Sequence, residues 1–260
     1  MKSLEDSVVT ALDGSEPEIF SYIPYILQDL WEIGASPEIV IDLIKKHKSD
    51  CKNLMVLDLG CGKGAVSVNT ASKLQCRCYG IDAVSEFIEY ADLKAKEFGV
   101  ESLCRFEVGD IRTKINELNS FDVIILGSIG PVLGNYYQTL TSLSKCTKAD
   151  GIIIIDEGYI DNDDTFSHPL VLKKDEVLNQ ISEAGMQLTE EVIVDNDENE
   201  MSDRYILEQL TQRCRELIKM HPEKRELFEN YIRKQERETE LLETKITCST
   251  MVIMRDKPKY

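Results

Sequence analysis

The sequence predicts an α/β fold in which a mainly parallel β-sheet carries helices on both faces. Between residues 54 and 185, five short apolar runs alternate with segments whose apolar residues recur at helical spacing. Alternation of this kind is typical of consecutive strand–helix units. Residues 152–155 are four consecutive isoleucines, as expected for a strand that is covered on both faces.

The predicted elements follow one another in a regular order. Strands are expected at 54–59, 77–81, 103–108, 121–126 and 151–155, and helices at 65–74, 85–98, 135–146 and 173–184. Another strand at 188–194 precedes a long charged segment, and a last β-rich run follows at 247–254.

The first fifty residues are expected to form a helical cap, ahead of a main domain at 51–260. Ser15-Glu16-Pro17-Glu18 is a helix-start signal, and apolar residues then recur at helical spacing until Gly34. A second helix is expected to begin at Ser36-Pro37-Glu38. The apolar positions of the two helices are Ile19, Ile23, Ile26, Leu27 and Leu30, then Ile39, Leu43 and Ile44.

The charged segment before the last strand is predicted to be a helical hairpin, inserted at about 196–245. His221-Pro222 separates its two helices, because proline cannot continue a helix. The first helix has one apolar stripe, formed by Leu207, Leu210, Cys214 and Leu217. Two amphipathic helices must bury such stripes. We therefore expect the hairpin to form either a lid over a binding pocket or the contact surface of a homodimer.

Composition limits the partners that this chain can have. The net charge is −17, from 47 acidic and 30 basic residues, which disfavours binding to nucleic acid or to anionic lipid. There is no signal peptide and no apolar stretch long enough to span a membrane, so we expect a cytoplasmic protein with free cysteines. Cys76 and Cys78 form a C-x-C pair without a second ligand pair, and no metal site is predicted.

The most informative segment is the glycine-rich turn after the first predicted strand. It reads Asp58-Leu59-Gly60-Cys61-Gly62-Lys63-Gly64, with glycines at alternate positions. Glycine permits positive φ and close approach of a ligand to the backbone, and the helix that follows offers free N–H groups. The spacing also fits the dinucleotide-binding pattern, with Asp82 about twenty residues further on, so the turn alone does not choose between cofactors.

Three acidic residues favour a ligand without phosphates. Asp58 lies inside an apolar strand, where a carboxylate needs a hydrogen-bond donor or a cation such as an ammonium group. Asp82 ends the second strand and could accept hydrogen bonds from both hydroxyls of a ribose. Asp110 ends the third strand and could accept from an adenine amino group, with Ile111 against the ring. Because the carboxyl ends of parallel strands border one crevice, these residues suit an ammonium, a ribose and an adenine together.

These motifs resemble those of the class I S-adenosylmethionine-dependent methyltransferases over roughly residues 50 to 195 and the final strand. Residues 56–64 look like the first motif of that family, Asp82 matches its second acidic position, and Gly109-Asp110 matches its adenine-side acid. Residues 121–127 look like its fourth strand.

The resemblance implies a Rossmann-like sheet of seven strands, mostly parallel with an antiparallel last strand, and N-terminal helices over the cofactor. It also implies that S-adenosyl-L-methionine is the cofactor and that a small molecule receives the methyl group. The implied cofactor-binding residues are Asp58, Gly60, Cys61, Gly62, Gly64, Asp82, Ala83, Asp110, Ile111 and Gly127.

The acceptor site carries no comparable signature. After the fourth strand the chain reads Gly127-Ser128-Ile129-Gly130-Pro131-Val132, without the Asn/Asp-Pro-Pro-Tyr or Pro-Cys motifs of DNA-modifying relatives. The catalytic residues stay unknown at this point. Candidates for contact with the acceptor are Tyr25, Glu157 and His168, with Tyr22, Asp156 and Tyr159 as further options, although several of these suit plain packing or loop positions.

Three alternatives stay open on the sequence alone. An NAD(P)-dependent oxidoreductase fits the glycine spacing but leaves Asp58 and Asp110 unexplained. A non-catalytic S-adenosylmethionine-binding protein fits the cofactor motifs without requiring turnover. An aminopropyl transferase that uses the decarboxylated cofactor fits the acidic crevice but removes part of the partner expected for Asp58.

Overall fold

Seven β-strands form a single sheet in the computed structural model, which describes residues 2–194 and 196–256. The strands are β1 (Met55–Leu59), β2 (Arg77–Asp82), β3 (Cys104–Val108), β4 (Phe121–Gly127), β5 (Thr147–Tyr159), β6 (Met186–Ile193) and β7 (Thr247–Arg255). Their order is β3-β2-β1-β4-β5-β7-β6, and β7 runs antiparallel to both of its neighbours. The predicted fold class is confirmed.

Ten α-helices surround the sheet in the described residues. They are α1 (Leu4–Ala11), α2 (Ile23–Ile26), α3 (Pro37–His47), α4 (Ala65–Leu74), α5 (Ser85–Glu97), α6 (Ile111–Lys114), α7 (Tyr136–Ser144), α8 (Lys174–Glu183), α9 (Asn196–Met220) and α10 (Arg225–Thr244). The predicted strands agree with these bounds to within two residues, except β5, which extends four residues beyond the predicted range of 151–155 at each end.

Each face of the sheet is covered by its own apolar cluster, as alternation along buried parallel strands requires. On one face, Leu57, Ile124 and Ile153 pack with α7 and α8 residues. On the other, Val56, Val123 and neighbouring side chains pack against α3 and α4. The second predicted N-terminal helix, α3, therefore packs directly on the sheet.

The continuous helix expected up to Gly34 is wrong. The chain forms a 3₁₀ helix at Pro17–Tyr22, then the short α2, and leaves helical geometry after Ile26. Pro24 accounts for the break before α2, because its ring lacks an N–H and clashes with the preceding turn of a continuous helix. The second helix, α3, begins at Pro37 with Ser36 as its N-cap, as expected.

A helix begins at Leu4, ahead of the first helix start predicted from the sequence. The Ser3 hydroxyl caps it by accepting a hydrogen bond of 3.0 Å from the Asp6 amide. This helix, α1, lies over the carboxyl ends of the strands, where Leu4 and Val8 line a cavity.

The helical hairpin is present, with α9 and α10 separated at His221-Pro222. Its apolar stripe is buried in a third cluster, which also contains Ile19, Ile23 and Ile26 of the N-terminal segment and Phe87 of α5. Leu210, Cys214 and Leu217 are each at most 3% exposed. The hairpin therefore packs against the N-terminal segment, and none of its described residues lines the cavity.

The domain limits stay a prediction, and residues 195 and 257–260 of the predicted main domain lie outside the described residues. Within the part of the chain that is described, no helix has the length and apolar character needed to cross a membrane.

Candidate functional site

A cavity opens at the carboxyl ends of β1, β2, β3 and β4, beneath α1. It encloses about 1000 Å³ of space, its open mouth included. Four carboxylates line it, those of Glu32, Asp58, Asp82 and Asp110. The cavity lies beside β1, where the strand order reverses direction, the usual position for ligands in open α/β sheets.

The glycine turn is fixed by the neighbouring strand. The amides of Gly60 and Cys61 both donate to the Ile81 carbonyl, at 2.8 and 3.1 Å. Gly60 has φ +73° and Gly62 has φ +51°, a conformation that L side chains adopt rarely. The turn therefore presents bare backbone to the cavity in one defined conformation.

Asp58 is buried at the end of β1, with 3% of its surface exposed. One carboxylate oxygen accepts a hydrogen bond of 2.7 Å from the Ser67 hydroxyl of α4. Burial raises the pKa of Asp58 from 3.8 to about 6, and the nearby Asp82 carboxylate adds to the rise. No lysine, arginine or histidine among the described residues forms an ion pair with the Asp58 carboxylate. The described residues therefore leave this carboxylate without a cationic partner.

Asp82 is oriented by the backbone around it. Its two oxygens accept hydrogen bonds from the amides of Gly62 and Val84, both at 2.9 Å. Burial still raises its pKa above the ordinary value. Ala83 follows it and also lines the cavity. Each oxygen keeps a second lone pair, so the carboxylate is preoriented to accept hydrogen bonds from two adjacent hydroxyls.

Asp110 is held by Arg112. The guanidinium makes a bidentate contact with the carboxylate, including an Nη2–Oδ2 distance of 2.7 Å, and lowers the pKa of Asp110. The same guanidinium donates to the Ser7 hydroxyl at 2.7 Å and to the Lys2 carbonyl at 3.0 Å. Arg112 thus joins the third acidic position to α1, and Ile111 lines the cavity beside it.

Two acidic side chains hold the loop that follows β4. The Ser128 hydroxyl donates to Asp156 at 2.8 Å, and the Gly130 amide donates to Glu157 at 2.7 Å. Burial, with a contribution from Asp156, raises the pKa of Glu157 to about 7. Gly127 and Ser128 line the cavity, whereas Asp156 and Glu157 lie behind the loop.

The glycine turn is also joined to the N-terminal segment. The Lys63 ammonium is buried and donates to the carbonyls of Leu27 and Leu30, the latter at 2.6 Å. In return, the Trp31 indole donates to the Lys63 carbonyl at 3.0 Å. Burial lowers the pKa of Lys63 to about 8. Residues 31–35, which also line the cavity, are therefore held directly against the turn.

The structure brings nine of the ten predicted cofactor-binding residues to the cavity wall. Those nine are Asp58, Gly60, Cys61, Gly62, Asp82, Ala83, Asp110, Ile111 and Gly127. Gly64 is not a lining residue; it precedes α4 with φ +73°, and a Cβ there would lie 2.7 Å from that of Ala91. Its position fits close packing of α4 against α5, and a binding role for all ten residues stays a prediction.

The three acceptor-site candidates lie away from the cavity wall. The Tyr25 hydroxyl donates to Glu216 of α9 at 2.9 Å. His168 accepts from the Leu170 amide at 3.3 Å within a loop. Glu157 lies behind the loop after β4, as described above. Tyr22 packs edge-on against Phe228, and the Tyr159 hydroxyl accepts from Lys174, so neither lines the cavity.

Many of the cavity residues were not predicted as site residues. They include Leu4, Ser7, Val8, Ala11, Leu12, Glu32, Ile33, Lys63 and Arg112. A signal existed for α1, since Ser3 followed by Asp6 at the third position is a helix-start pattern with apolar residues at helical spacing behind it. No local pattern identifies the contacts of Lys63 with Leu27 and Leu30 or those of Arg112 with Lys2 and Ser7, because these partners are distant in sequence.

The family model described as "Methyltransferase domain" matches residues 50–244, so the chain belongs to this family. The ubiquinone biosynthesis O-methyltransferase of Rickettsia canadensis is 27% identical over 175 residues, which cover 59% of this chain and 71% of that protein. The protein of the same name from Rickettsia felis is 32% identical over 121 residues. Those residues cover 45% of this chain and 47% of the relative, so the chain spans about half of its length.

A solved structure described as a SAM-dependent methyltransferase from Geobacter sulfurreducens, in complex with S-adenosyl-L-homocysteine, has the same fold. Its TM-score is 0.75 at 20% identity, and the match covers 91% of this chain and 98% of that one. The predicted methyltransferase class is thereby confirmed at the level of family and fold.

Proposed function

We propose that the chain is an S-adenosyl-L-methionine-dependent methyltransferase with a small-molecule acceptor. The observation that carries the proposal is the buried Asp58 carboxylate beside a bare-backbone turn, with no cationic partner among the described residues. The ammonium group of the methionine part is a cation of suitable size and charge for that position. The description of the Geobacter protein as SAM-dependent, and the S-adenosyl-L-homocysteine bound to it, support the same cofactor.

The residues present fit that cofactor along its length. Asp58 is available for the ammonium, Asp82 for the two ribose hydroxyls, and Asp110 with Ile111 for the adenine. A pyrophosphate at the glycine turn would lie beside the buried Asp58 carboxylate, which disfavours a nicotinamide dinucleotide by charge repulsion. When bound, S-adenosyl-L-methionine supplies a methyl group already activated by the sulfonium. The protein contributes alignment of the acceptor and exclusion of water, through α1, residues 31–35 and the loop after β4.

Thermal unfolding with four ligands tests the cofactor. S-adenosyl-L-homocysteine, S-adenosyl-L-methionine, NAD and NADP are compared at equal concentration with the wild type and Asp58→Asn. A ligand at a hundred times its dissociation constant adds about 2.7 kcal/mol to the unfolding free energy, and the midpoint should rise by about 5 °C. We expect this rise with the two adenosyl compounds only, and a much smaller one in Asp58→Asn. A rise with NAD or NADP alone would identify an oxidoreductase instead.

Binding without turnover is a separate outcome. If S-adenosyl-L-methionine binds but a panel of amine, thiol, phenol and carboxylate acceptors yields no S-adenosyl-L-homocysteine, a non-catalytic binding protein becomes the better description. The homodimer through the 196–245 hairpin, the cytoplasmic location and the absence of nucleic-acid partners stay predictions. Light scattering after gel filtration measures the first of these.

A further inference from the structure

One wall of the cavity is apolar and comes from two elements. The face of α1 contributes Leu4, Val8 and Ala11, which recur at helical spacing, and Leu12 follows at its C-cap. The loop after β4 contributes Ile129 and Val132. These side chains exclude water and favour an acceptor with an apolar body.

The charged groups of the lining are unevenly balanced. Four carboxylates stand against two cations, Lys63 and Arg112, and both cations are already engaged. Lys63 donates to two backbone carbonyls, and Arg112 donates to Asp110, the Ser7 hydroxyl and the Lys2 carbonyl. An anionic acceptor would thus find no uncommitted cation among the described lining residues.

Glu32 is the carboxylate that the cofactor assignment does not use. It lines the cavity, yet within the described chain it has neither a hydrogen bond nor an ion pair. Glu32 is an exposed residue at the cavity, and partial loss of solvent around its carboxylate, together with the Glu38 carboxylate, raises its pKa. Its carboxylate is therefore free to bind an ammonium group.

The lining offers little help for deprotonating an alcohol or a phenol. It contains no histidine or tyrosine among the described residues, and burial raises the pKa of the Cys61 thiol well above its ordinary value. An amine needs no strong base, because its neutral form is itself the nucleophile and is present in equilibrium with the ammonium.

We infer that the acceptor is an apolar primary or secondary amine without an anionic group, bound through its nitrogen by Glu32; this inference rests on the proposed function. The bound ammonium first releases a proton to Glu32 or to water at the open mouth. The nitrogen lone pair then forms the new N–C bond while the sulfonium S–C bond breaks and leaves S-adenosyl-L-homocysteine. After the transfer, the positive charge lies on the N-methylated ammonium and no longer on the sulfur. The product later loses a proton to solvent.

Three probes with the same apolar tail test the inference: 4-phenylbutylamine, 4-phenylbutan-1-ol and 4-phenylbutanoate. Their affinities for the protein saturated with S-adenosyl-L-homocysteine are measured by calorimetry, and methyl transfer from S-adenosyl-L-methionine by product formation. We expect the amine to bind about tenfold or more tightly than the carboxylate, the difference typical of one charge-assisted contact. We also expect only the amine to be methylated at a measurable rate.

Glu32→Gln is the decisive variant, with Glu38→Gln as its matched control. Glu38 is exposed, lies in the first turn of α3 and does not line the cavity. Glu32→Gln should lose about tenfold in affinity for the amine, leave that for the alcohol unchanged and bind S-adenosyl-L-homocysteine as the wild type does. Glu38→Gln should leave the affinities for the alcohol and for S-adenosyl-L-homocysteine unchanged and should change that for the amine by less than about twofold, because Glu38 acts on Glu32 only through its charge.

Each contrary result overturns the inference in a recognisable way. Equal binding of amine and carboxylate, or no binding of the amine, excludes the acceptor class. Weaker binding of S-adenosyl-L-homocysteine in Glu32→Gln would show that Glu32 serves the cofactor ammonium and not the acceptor. Failure of the wild type to bind S-adenosyl-L-homocysteine contradicts the proposed function instead, so the two failures are distinguishable.

Discussion

Asp58 is held in surroundings that disfavour its charge, with Ser67 as the one hydrogen-bond donor to its side chain in the described structure. Its pKa in the folded state, about 6, lies above the ordinary 3.8. Between these two values the folded state binds the proton more tightly than the unfolded chain does. The free energy of unfolding therefore falls as pH rises through this window, and the destabilisation by the ionised Asp58 carboxylate is complete above about pH 6.

Asp58→Asn should accordingly stabilise the ligand-free protein at neutral pH. We expect a gain on the order of 1–3 kcal/mol at pH 7.5, since a shift of one pKa unit corresponds to about 1.4 kcal/mol, and a smaller gain at pH 5. Urea unfolding at both pH values measures it. Asp42→Asn is the control, because that carboxylate is exposed and should change stability by less than about 0.5 kcal/mol. An Asp58→Asn protein that is less stable than the wild type at pH 7.5 contradicts the argument.

The same carboxylate predicts how cofactor binding depends on pH. Only the ionised form of Asp58 can pair with an ammonium group, so the affinity for S-adenosyl-L-homocysteine should fall as pH drops below about 6. We expect a loss approaching tenfold per pH unit, measured by calorimetry between pH 5 and 8. Asp58→Asn should bind weakly and show almost no change across this range; a wild-type affinity that is flat down to pH 5 would remove Asp58 from the binding site.

The three acidic residues of the cavity could be predicted from the sequence, but the groups that orient their carboxylates could not. Asp58, Asp82 and Asp110 each end a predicted strand, and parallel topology alone brings such residues to one edge of a sheet. Arg112 pairs with Asp110 two residues away, but its contact with Ser7 and that of Lys63 with Leu30 join residues that lie far apart in the chain. No periodicity or local motif records contacts of that kind, so only the folded structure identifies them.

At the scale of elements, α1 is the part of the cavity wall that is held by few polar contacts to the sheet. The Arg112 guanidinium supplies the hydrogen bonds to the Lys2 carbonyl and the Ser7 hydroxyl, while Val9 packs into the third apolar cluster. The first turn of α1 therefore depends on one side chain that also contacts Asp110.

Arg112→Gln should loosen α1 without unfolding the sheet. We expect the backbone amides of Leu4–Ala11 to exchange hydrogen roughly tenfold faster, because local opening no longer breaks the contacts with the guanidinium. Hydrogen exchange followed by mass spectrometry measures this. Arg105→Gln is the control, since its side chain is exposed and pairs with Glu107. Unchanged protection of α1 in Arg112→Gln would show that apolar packing alone retains the helix.

The two N-terminal departures from expectation have opposite causes. For α1, a helix-start pattern is present at Ser3 and Asp6. The residues around it are mostly polar, so by composition the segment resembles an ordinary chain terminus. For the segment after Ile19, helical spacing of apolar residues was real, but Pro24 divides it. Those apolar residues are still buried in one cluster, because a 3₁₀ turn followed by a short helix keeps them on a common side.

At the scale of the whole molecule, the apolar core is divided into three clusters. Two cover the faces of the sheet, and the third joins the hairpin, the N-terminal segment and the start of α5. The sequence predicted the sheet and the insertion, since both follow from periodicity and from the family resemblance. The surface against which the hairpin packs was not predictable, because an amphipathic stripe shows that a face is buried but not which element covers it.

This arrangement makes the hairpin a support for the cavity wall. Phe228 of α10 is fully buried, and its ring meets Tyr22 edge-on with the ring centroids 5.0 Å apart. Tyr22 belongs to the segment that continues to Leu27 and Leu30, whose carbonyls bind Lys63 of the glycine turn. A disturbance of the hairpin core should therefore reach the turn through the N-terminal segment.

Phe228→Ala should lower the free energy of unfolding by about 3–5 kcal/mol, the usual cost of removing a buried aromatic ring. It should also weaken S-adenosyl-L-homocysteine binding several-fold at a temperature where the variant is fully folded. Leu93→Ala is the control, because that side chain is 62% exposed on α5. Urea unfolding and calorimetry of the same samples separate the two effects. If Phe228→Ala loses stability but binds as tightly as the wild type, the hairpin stabilises the chain without shaping the turn. If binding falls as expected, the insertion contributes to the site although none of its described residues lines the cavity.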